Sequence, residues 1–179
     1  LASTRSSVEL VHLAAAEALA RTNEIAAVWT WVSDERVREI LPRHAGRPGF
    51  AFVAAVDDGA IVGFAYAYRG EPGQWWHDAV RAAMTPEQRA RWLAPGHVEL
   101  AELHVAHRRR REGLGSRLHD ELVSSYRDAP TAVLSTQAAN APALALYAAR
   151  QWEVVVPRLR FASGAEPYAI LGRDLPLQL

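Results

Sequence analysis

Apolar residues recur along this chain with two periods, and the switches between them lay out its elements. Leu10, Leu13, Ala14 and Ala18 repeat at i, i+3 and i+4, with Glu17 as a polar intrusion. With Ser6 and Ser7 as caps, this predicts a long helix from about Val8 to Val32, which Asn23 loosens or divides. A second helix is expected to start at Ser33, with Asp34 and Glu35 in a first turn where the dipole favours negative charge, and to end between Pro42 and Gly49. Phe50 to Val56 is β-rich, Asp57-Asp58-Gly59 is a hairpin turn, and Ile61 to Tyr68 returns. Gly63, inside the returning strand, marks a bulge or a close approach of backbone.

Residues 70 to 96 do not continue the strand pattern. A loop over Arg69–Gly73 leads to Trp75-Trp76-His77-Asp78 and a helical stretch with Pro86 at an expected first-turn position after Thr85. His97 to Ala106 reads as a strand. From Gly113 to Arg127 the period is helical, with Leu114, Leu118, Leu122 and Tyr126 on one face and Arg117, Asp120, Ser124 and Arg127 toward water. Thr131 to Gln137 is again a strand, and the long helical connection predicts that it runs parallel to the previous one through a right-handed crossover. Asn140 caps a further helix with Pro142 in its first turn, and Glu153–Pro157 and Tyr168–Gly172 read as closing strands.

Composition narrows the function classes. A chain of 179 residues suggests one domain, 1–179. Acidic and basic residues balance at 20 each, so no global field draws the chain to nucleic acid or to a membrane surface. All the basic residues besides His are Arg. Cysteine is absent, which excludes disulfides, thiol catalysis and Cys-ligated metals. No apolar run reaches the ~18 residues of a membrane span. No signal peptide is visible, so the cytoplasm is the expected compartment, although a start at Leu1 is consistent with a trimmed N-terminus. No third ligand stands near His77 and Asp78, so no metal is expected there.

The chemistry concentrates in Leu103–Leu118, where a strand enters a basic, glycine-bearing turn and then a helix. Such a turn presents unpaired backbone N–H groups at a helix start, which suits an anion. Gly113 and Gly115 admit close approach, and Arg108 to Arg111 add positive charge. A dinucleotide fingerprint is excluded because Arg110 holds the first glycine position, and no Gly-Lys-Ser/Thr exists for a Walker loop. A nucleic-acid patch is disfavoured by overall neutrality and the lack of interleaved aromatics.

Arg110, Gly113 and Gly115 fill the Arg/Gln-x-x-Gly-x-Gly/Ala pattern, and the stretch resembles the acyl-CoA pyrophosphate loop of the GNAT superfamily of N-acyltransferases. The strand with Leu103-His104-Val105 precedes it as in that family, and a second motif follows about 30 residues later: Asn140, Ala143, Leu146 and Tyr147, then Gln151-Trp152, with Gln151 where the family usually has Gly. His107 stands where the family often carries Pro. The resemblance implies an α/β fold with a mixed, mostly antiparallel central sheet flanked by helices, a parallel strand pair at the acyl-CoA site, and an acceptor-side insert at 70–96.

It also implies an N-acetyltransferase that moves an acetyl group from acetyl-CoA to a primary amine, here a small molecule, with no metal and, lacking Cys, by direct attack. An alkyl ammonium with a pKa of ~10.4 must lose its proton first, at about 4–5 kcal/mol near neutral pH unless the site assists. Glu99, eleven residues before Arg110 where some family members hold their base, ranks first as proton acceptor; Glu102 is second and His104 third. Tyr147 resembles the family's general acid for the leaving thiolate, and a backbone N–H near Val105 would stabilise the oxyanion. The expected cofactor contacts are Leu103, His104, Val105, Arg109, Arg110, Arg111, Glu112, Gly113, Leu114, Gly115, Ser116, Asn140 and Tyr147. Trp31, Trp75 and Trp76 are candidates for the acceptor wall; the alternative is a hydrophobic lid on the core for Trp31, and packing or a homodimer contact for Trp75 and Trp76. Two other functions fit the same motifs: an acyl-CoA sensor without turnover, and a protein lysine or N-terminal acetyltransferase.

Overall fold

A computed structural model of the chain describes residues 8–177. Among the described residues seven strands and seven α-helices follow one another, and the strands lie in the hydrogen-bonded order β1-β2-β3-β4-β5-β7-β6. The sheet is mostly antiparallel, and β4 with β5 is its parallel pair, as the sequence predicted. The described residues divide into two compact units, one formed by residues 8–68 with Glu102–Ser125, the other by Arg69–Ala101 with residues 126–177.

In the first unit the predicted long helix is corrected. Glu9–Leu13 is strand β1, followed by α1 (Ala15–Ala20) and α2 (Thr22–Val28). The cause is tertiary: β1 pairs antiparallel with β2 (Ala51–Asp57), from Glu9↔Val56 to Leu13↔Phe52, and that ladder outweighs the helical spacing of Leu10, Leu13 and Ala14. Glu17 then accepts the Ala14 N–H at 2.7 Å and starts α1. Ser6 and Ser7, the expected caps, lie outside the described residues. Helix α3 (Asp34–Ala45) begins as expected, with the Ser33 hydroxyl accepting the Arg36 N–H at 3.3 Å. The β2–β3 hairpin turns at Asp58 and Gly59, both left-handed, and β3 spans Ala60–Arg69. Gly63 fulfils its expectation of close approach: a Cβ there would lie 3.1 Å from both the His104 carbonyl and Leu118 Cδ1. The β2–β3 register also shifts beside it, between Ala55 and Val56. Phe52, Phe64 and Tyr66 stack in the core, with Trp29 set against Phe64 and Tyr66.

His44 joins that cluster. Its Nδ1 lies 2.9 Å from the Tyr66 hydroxyl. Burial, then the nearby Arg47, Arg43 and Arg36, lower its pKa to about 4. Below pH 6.5 the unfolded chain takes up a proton that folded His44 refuses, so stability falls as pH drops from about 6.5 to 4. The unscreened limit is about 3 kcal/mol; solvent reaching a partly exposed ring reduces it to about 1–2 kcal/mol. Urea unfolding at pH 7 and pH 4.5 is expected to show that loss, and His44→Gln is expected to flatten it; an equal slope in the variant would remove His44 as its source.

The second unit holds α4 (Trp75–Ala83), α5 (Pro86–Trp92), β5 (Thr131–Gln137), α7 (Ala141–Ala148), β6 (Glu153–Leu159) and β7 (Tyr168–Asp174), with the first half of β4 (Val98–Val105). Thr85 and Gln88 cap α5 reciprocally, at 3.2 and 3.0 Å, with Pro86 at the first helical position. Val80, Met84, Trp92, Val133, Val155 and Ile170 form this unit's core. Among the described residues no helix is long and apolar enough to cross a membrane.

Candidate functional site

The predicted site residues fall in both compact units. In the first, β4 ends at Val105, and the Ala106 N–H donates to the Val62 carbonyl at 2.8 Å, which fixes where the chain leaves the sheet. A single 3-10 turn over His107–Arg109 follows. Arg110 is extended, Arg111 is left-handed at φ 66° and Gly113 left-handed at φ 76°. Helix α6 (Leu114–Ser124) therefore starts abruptly after Gly113 with no side chain capping it. Its first-turn N–H groups, those of Leu114, Gly115 and Ser116, are what an anion would meet. A Cβ added at Gly113 would find nothing within 4 Å, so the outer face of the loop is open.

The four arginines part company here. Arg108, Arg110 and Arg111 are exposed and, among the described residues, make no ion pair. Arg110 Nε reaches back to the Val105 carbonyl at 3.3 Å. Arg109 is turned inward: its Nε donates to both Glu112 carboxylate oxygens at 3.1 and 2.9 Å, and its Nη1 donates to Asp57 Oδ2. Asp57 was legible only as part of a hairpin turn, and no spacing in the sequence links it to Arg109.

Further back on β4, Glu102 and His104 stand two apart, so they share a strand face. Glu102 Oε2 lies 2.6 Å from His104 Nε2, and the imidazole stacks on Trp29 at 5.4 Å and leans on Phe64 at 5.3 Å. The two aromatic rings and the carboxylate fix the orientation of this imidazole. Trp29 is buried, while Trp31 is 61% exposed.

In the second unit Glu99 opens β4 and is 5% exposed. The β4–β5 ladder pairs Val98 with Ala132 and Glu99 with Val133, and it extends no further along β4. His97 precedes them, buried, with Nδ1 2.9 Å from the Ala94 carbonyl. A carbonyl can only accept, so Nδ1 carries the proton. Burial lowers the His97 pKa, which keeps the ring neutral. His97 stacks on His77 at 5.4 Å, and Gly70 lies so close that a Cβ there would sit 2.1 Å from His97 Nε2.

Asn140 caps α7 as expected, its Oδ1 accepting the Ala143 N–H at 3.2 Å. Tyr147, 7% exposed, meets Trp152 edge to face at 5.6 Å. Gln151 adopts the left-handed conformation that glycine would adopt, at φ 61°, and the Trp152 N–H returns to the Tyr147 carbonyl at 3.1 Å. The helix-ending turn is thus kept without its usual glycine. The adjacent tryptophans separate: Trp76 packs on the core and donates to Ser135 Oγ at 3.0 Å, whereas Trp75 is 66% exposed and leans on Phe161 at 5.4 Å. Among the described residues no group of three or more His, Asp or Glu is placed to hold a metal ion.

The model of the acetyltransferase (GNAT) family matches residues 13–151, across both compact units. The GCN5-like protein acetyltransferase Rv2170 of Mycobacterium tuberculosis is 34% identical over 131 residues, which cover 69% of this chain and 63% of that protein. Among solved structures, a GNAT-family protein from Desulfovibrio desulfuricans shares 18% identity with a TM-score of 0.66, covering 94% of this chain and 99% of that one. The phosphinothricin acetyltransferase of Sinorhizobium meliloti, in complex with AcCoA, shares 19% identity with a TM-score of 0.65, covering 94% and 88%. The match over 13–151, with the loop and Asn140–Tyr147 motifs inside it, places the chain in the acetyltransferase (GNAT) family, a class of acyltransferase enzymes.

Proposed function

We propose that the chain, acting as a single GNAT domain, transfers an acetyl group from acetyl-CoA directly to a primary amine, with no metal. The observation that carries this reading is the uncapped start of α6 behind a left-handed Gly113, open on its outer face and flanked by the exposed Arg110 and Arg111. That arrangement suits a pyrophosphate. The AcCoA complex of the structurally similar phosphinothricin acetyltransferase supports the same donor. In this reading the loop amides and Arg110 hold the pyrophosphate, and Leu103, His104 and Val105 lie along the pantetheine. The Val105 N–H meets the oxyanion. Glu99 takes the proton from the attacking ammonium, and Tyr147 returns one to the leaving thiolate. Glu102, engaged with His104, is the second proton acceptor. Exposed Trp31 and Trp75 are acceptor-side candidates, while Trp76 serves the core.

The acceptor is proposed to be a small molecule. A protein amine is the second reading, favoured by the relative named a protein acetyltransferase at 34% identity. Thiol release with acetyl-CoA and a panel of small amines, set beside lysine peptides and whole-protein acceptors, decides between them. With the best acceptor, Glu99→Gln is expected to lower kcat about 100-fold. Tyr147→Phe is expected to lower kcat about 10- to 100-fold. If both variants match the parent, these roles are wrong; if Glu102→Gln lowers kcat while Glu99→Gln does not, the base is the Glu102–His104 pair.

A further inference from the structure

We propose that Asp57 and Glu112 hold Arg109 as a clamp that sets the pyrophosphate loop before any ligand arrives, making Arg109 a positioning residue and not a phosphate ligand. The inference rests on the acyl-CoA reading above and goes further, because it divides four consecutive arginines into two jobs.

Three observations carry it, all within the first compact unit. The first is orientation: Arg109 is the one inward-turned member of Arg108–Arg111, its side chain 19% exposed while its three neighbours are exposed. The second is occupancy. Nε is shared by the two Glu112 oxygens and Nη1 is taken by Asp57, so two carboxylates already neutralise this guanidinium. A phosphate would meet a guanidinium whose charge two carboxylates already offset, whereas the exposed Arg110 and Arg111 make no ion pair among the described residues.

The third is backbone. Arg111 sits between the clamped residues with a left-handed φ of 66°, a conformation that non-glycine residues avoid unless their surroundings impose it. The Arg109–Glu112 pair closes the turn around Arg111, and Asp57, at the end of β2, ties that turn to the hairpin. The clamp therefore links the sheet to the loop whose N–H groups start α6. Arginine suits this task because its planar fork can hold two carboxylates in fixed directions, which an ammonium cannot.

The two readings of Arg109 predict opposite signs. As a clamp, Asp57→Asn loosens the loop: the acetyl-CoA KM is expected to rise about 10-fold while kcat at saturating donor stays within about twofold. Asp57→Glu, which restores the charge, is expected to recover most of that loss. Arg109→Lys keeps the charge but loses the fork, and is expected to match Asp57→Asn. As a phosphate ligand held back by a carboxylate, Arg109 would be released by Asp57→Asn, and the KM would fall. A fall in KM overturns the clamp, as does a KM unchanged in both Asp57→Asn and Arg109→Lys. Calorimetric binding of acetyl-CoA by the parent protein separates the levels: a parent that binds while the variants equal it removes the clamp alone, and a parent that does not bind removes the acyl-CoA reading and the clamp with it. Melting temperatures of each variant show whether a raised KM reflects the loop or a loss of fold.

Discussion

Gly113→Asp is expected to weaken acetyl-CoA binding by about 100-fold or more, with the fold retained. Two effects act at this position. Gly113 has φ 76°, and a non-glycine residue in that region costs about 1–2 kcal/mol. The added Cβ meets no neighbour within 4 Å, so the penalty is conformational and not a clash. The second effect is charge. A carboxylate placed about 4 Å from a bound phosphate repels it by about 4 kcal/mol at the effective dielectric of a protein surface, and salt reduces that figure. Gly113→Asn isolates the charge, since Asn tolerates the left-handed region about as well as Asp and has nearly the same shape. Calorimetry is expected to give a loss of at most about 10-fold for Asn and a further loss of about 10-fold or more for Asp, shrinking as salt is raised. If Asp and Asn bind alike, no anion sits at this loop, and the proposed donor site is lost with it.

What the sequence disclosed about this site follows from how local each feature is. The loop was legible because its determinants lie in one run: glycines at fixed offsets, arginines beside them and an apolar helix after them. The cap at Asn140 and the helix start at Ser33 were legible for the same reason, each resting on a side chain and an amide three residues apart. Strand β1 was not legible. Glu9–Leu13 carries both a helical spacing and β-compatible residues, and its state is decided by a partner about 40 residues away. The different fates of Trp75 and Trp76 likewise depend on Ser135 and Phe161, which no local rule connects to them. Gln151 shows the reverse case. It stands where the family usually has glycine, yet it takes the left-handed conformation that glycine would take, with the Trp152 N–H returning to the Tyr147 carbonyl. Glu102 and His104 were legible as separate candidates, but not the hydrogen bond between the His104 imidazole and the Glu102 carboxylate, because nothing in the pattern separates such a pair from two solvent-facing residues.

The same limit hid the position expected to be most sensitive in the second unit. Gly172 read as the end of a closing strand; it lies inside β7, paired with Val133 on one side and Glu153 on the other. Trp92 lies against its missing side chain. A Cβ built at Gly172 would come within 2.5 to 2.8 Å of three atoms of the six-membered ring of the indole. The indole has little room to yield. It is buried, its backbone carbonyl accepts the Thr131 hydroxyl at 3.0 Å, and the Arg91 guanidinium sits 4.1 Å from its ring centroid. Arg91 is in turn held by Glu153 and Asp174 at 3.1 and 3.0 Å. Gly172→Ala must therefore displace the ring or bend β7, and it is expected to cost about 2–4 kcal/mol. For a chain of this size that lowers the melting temperature by roughly 5–15 °C. The double variant with Trp92→Leu is the decisive comparison. Trp92→Leu alone opens space in the core and destabilises, but with the ring gone the added methyl group has room, so the pair is expected to lose at least about 1 kcal/mol less than the sum of the single changes. Additive losses would mean that the ring and the strand do not press on each other, and that the close approach at Gly172 is not what limits this position.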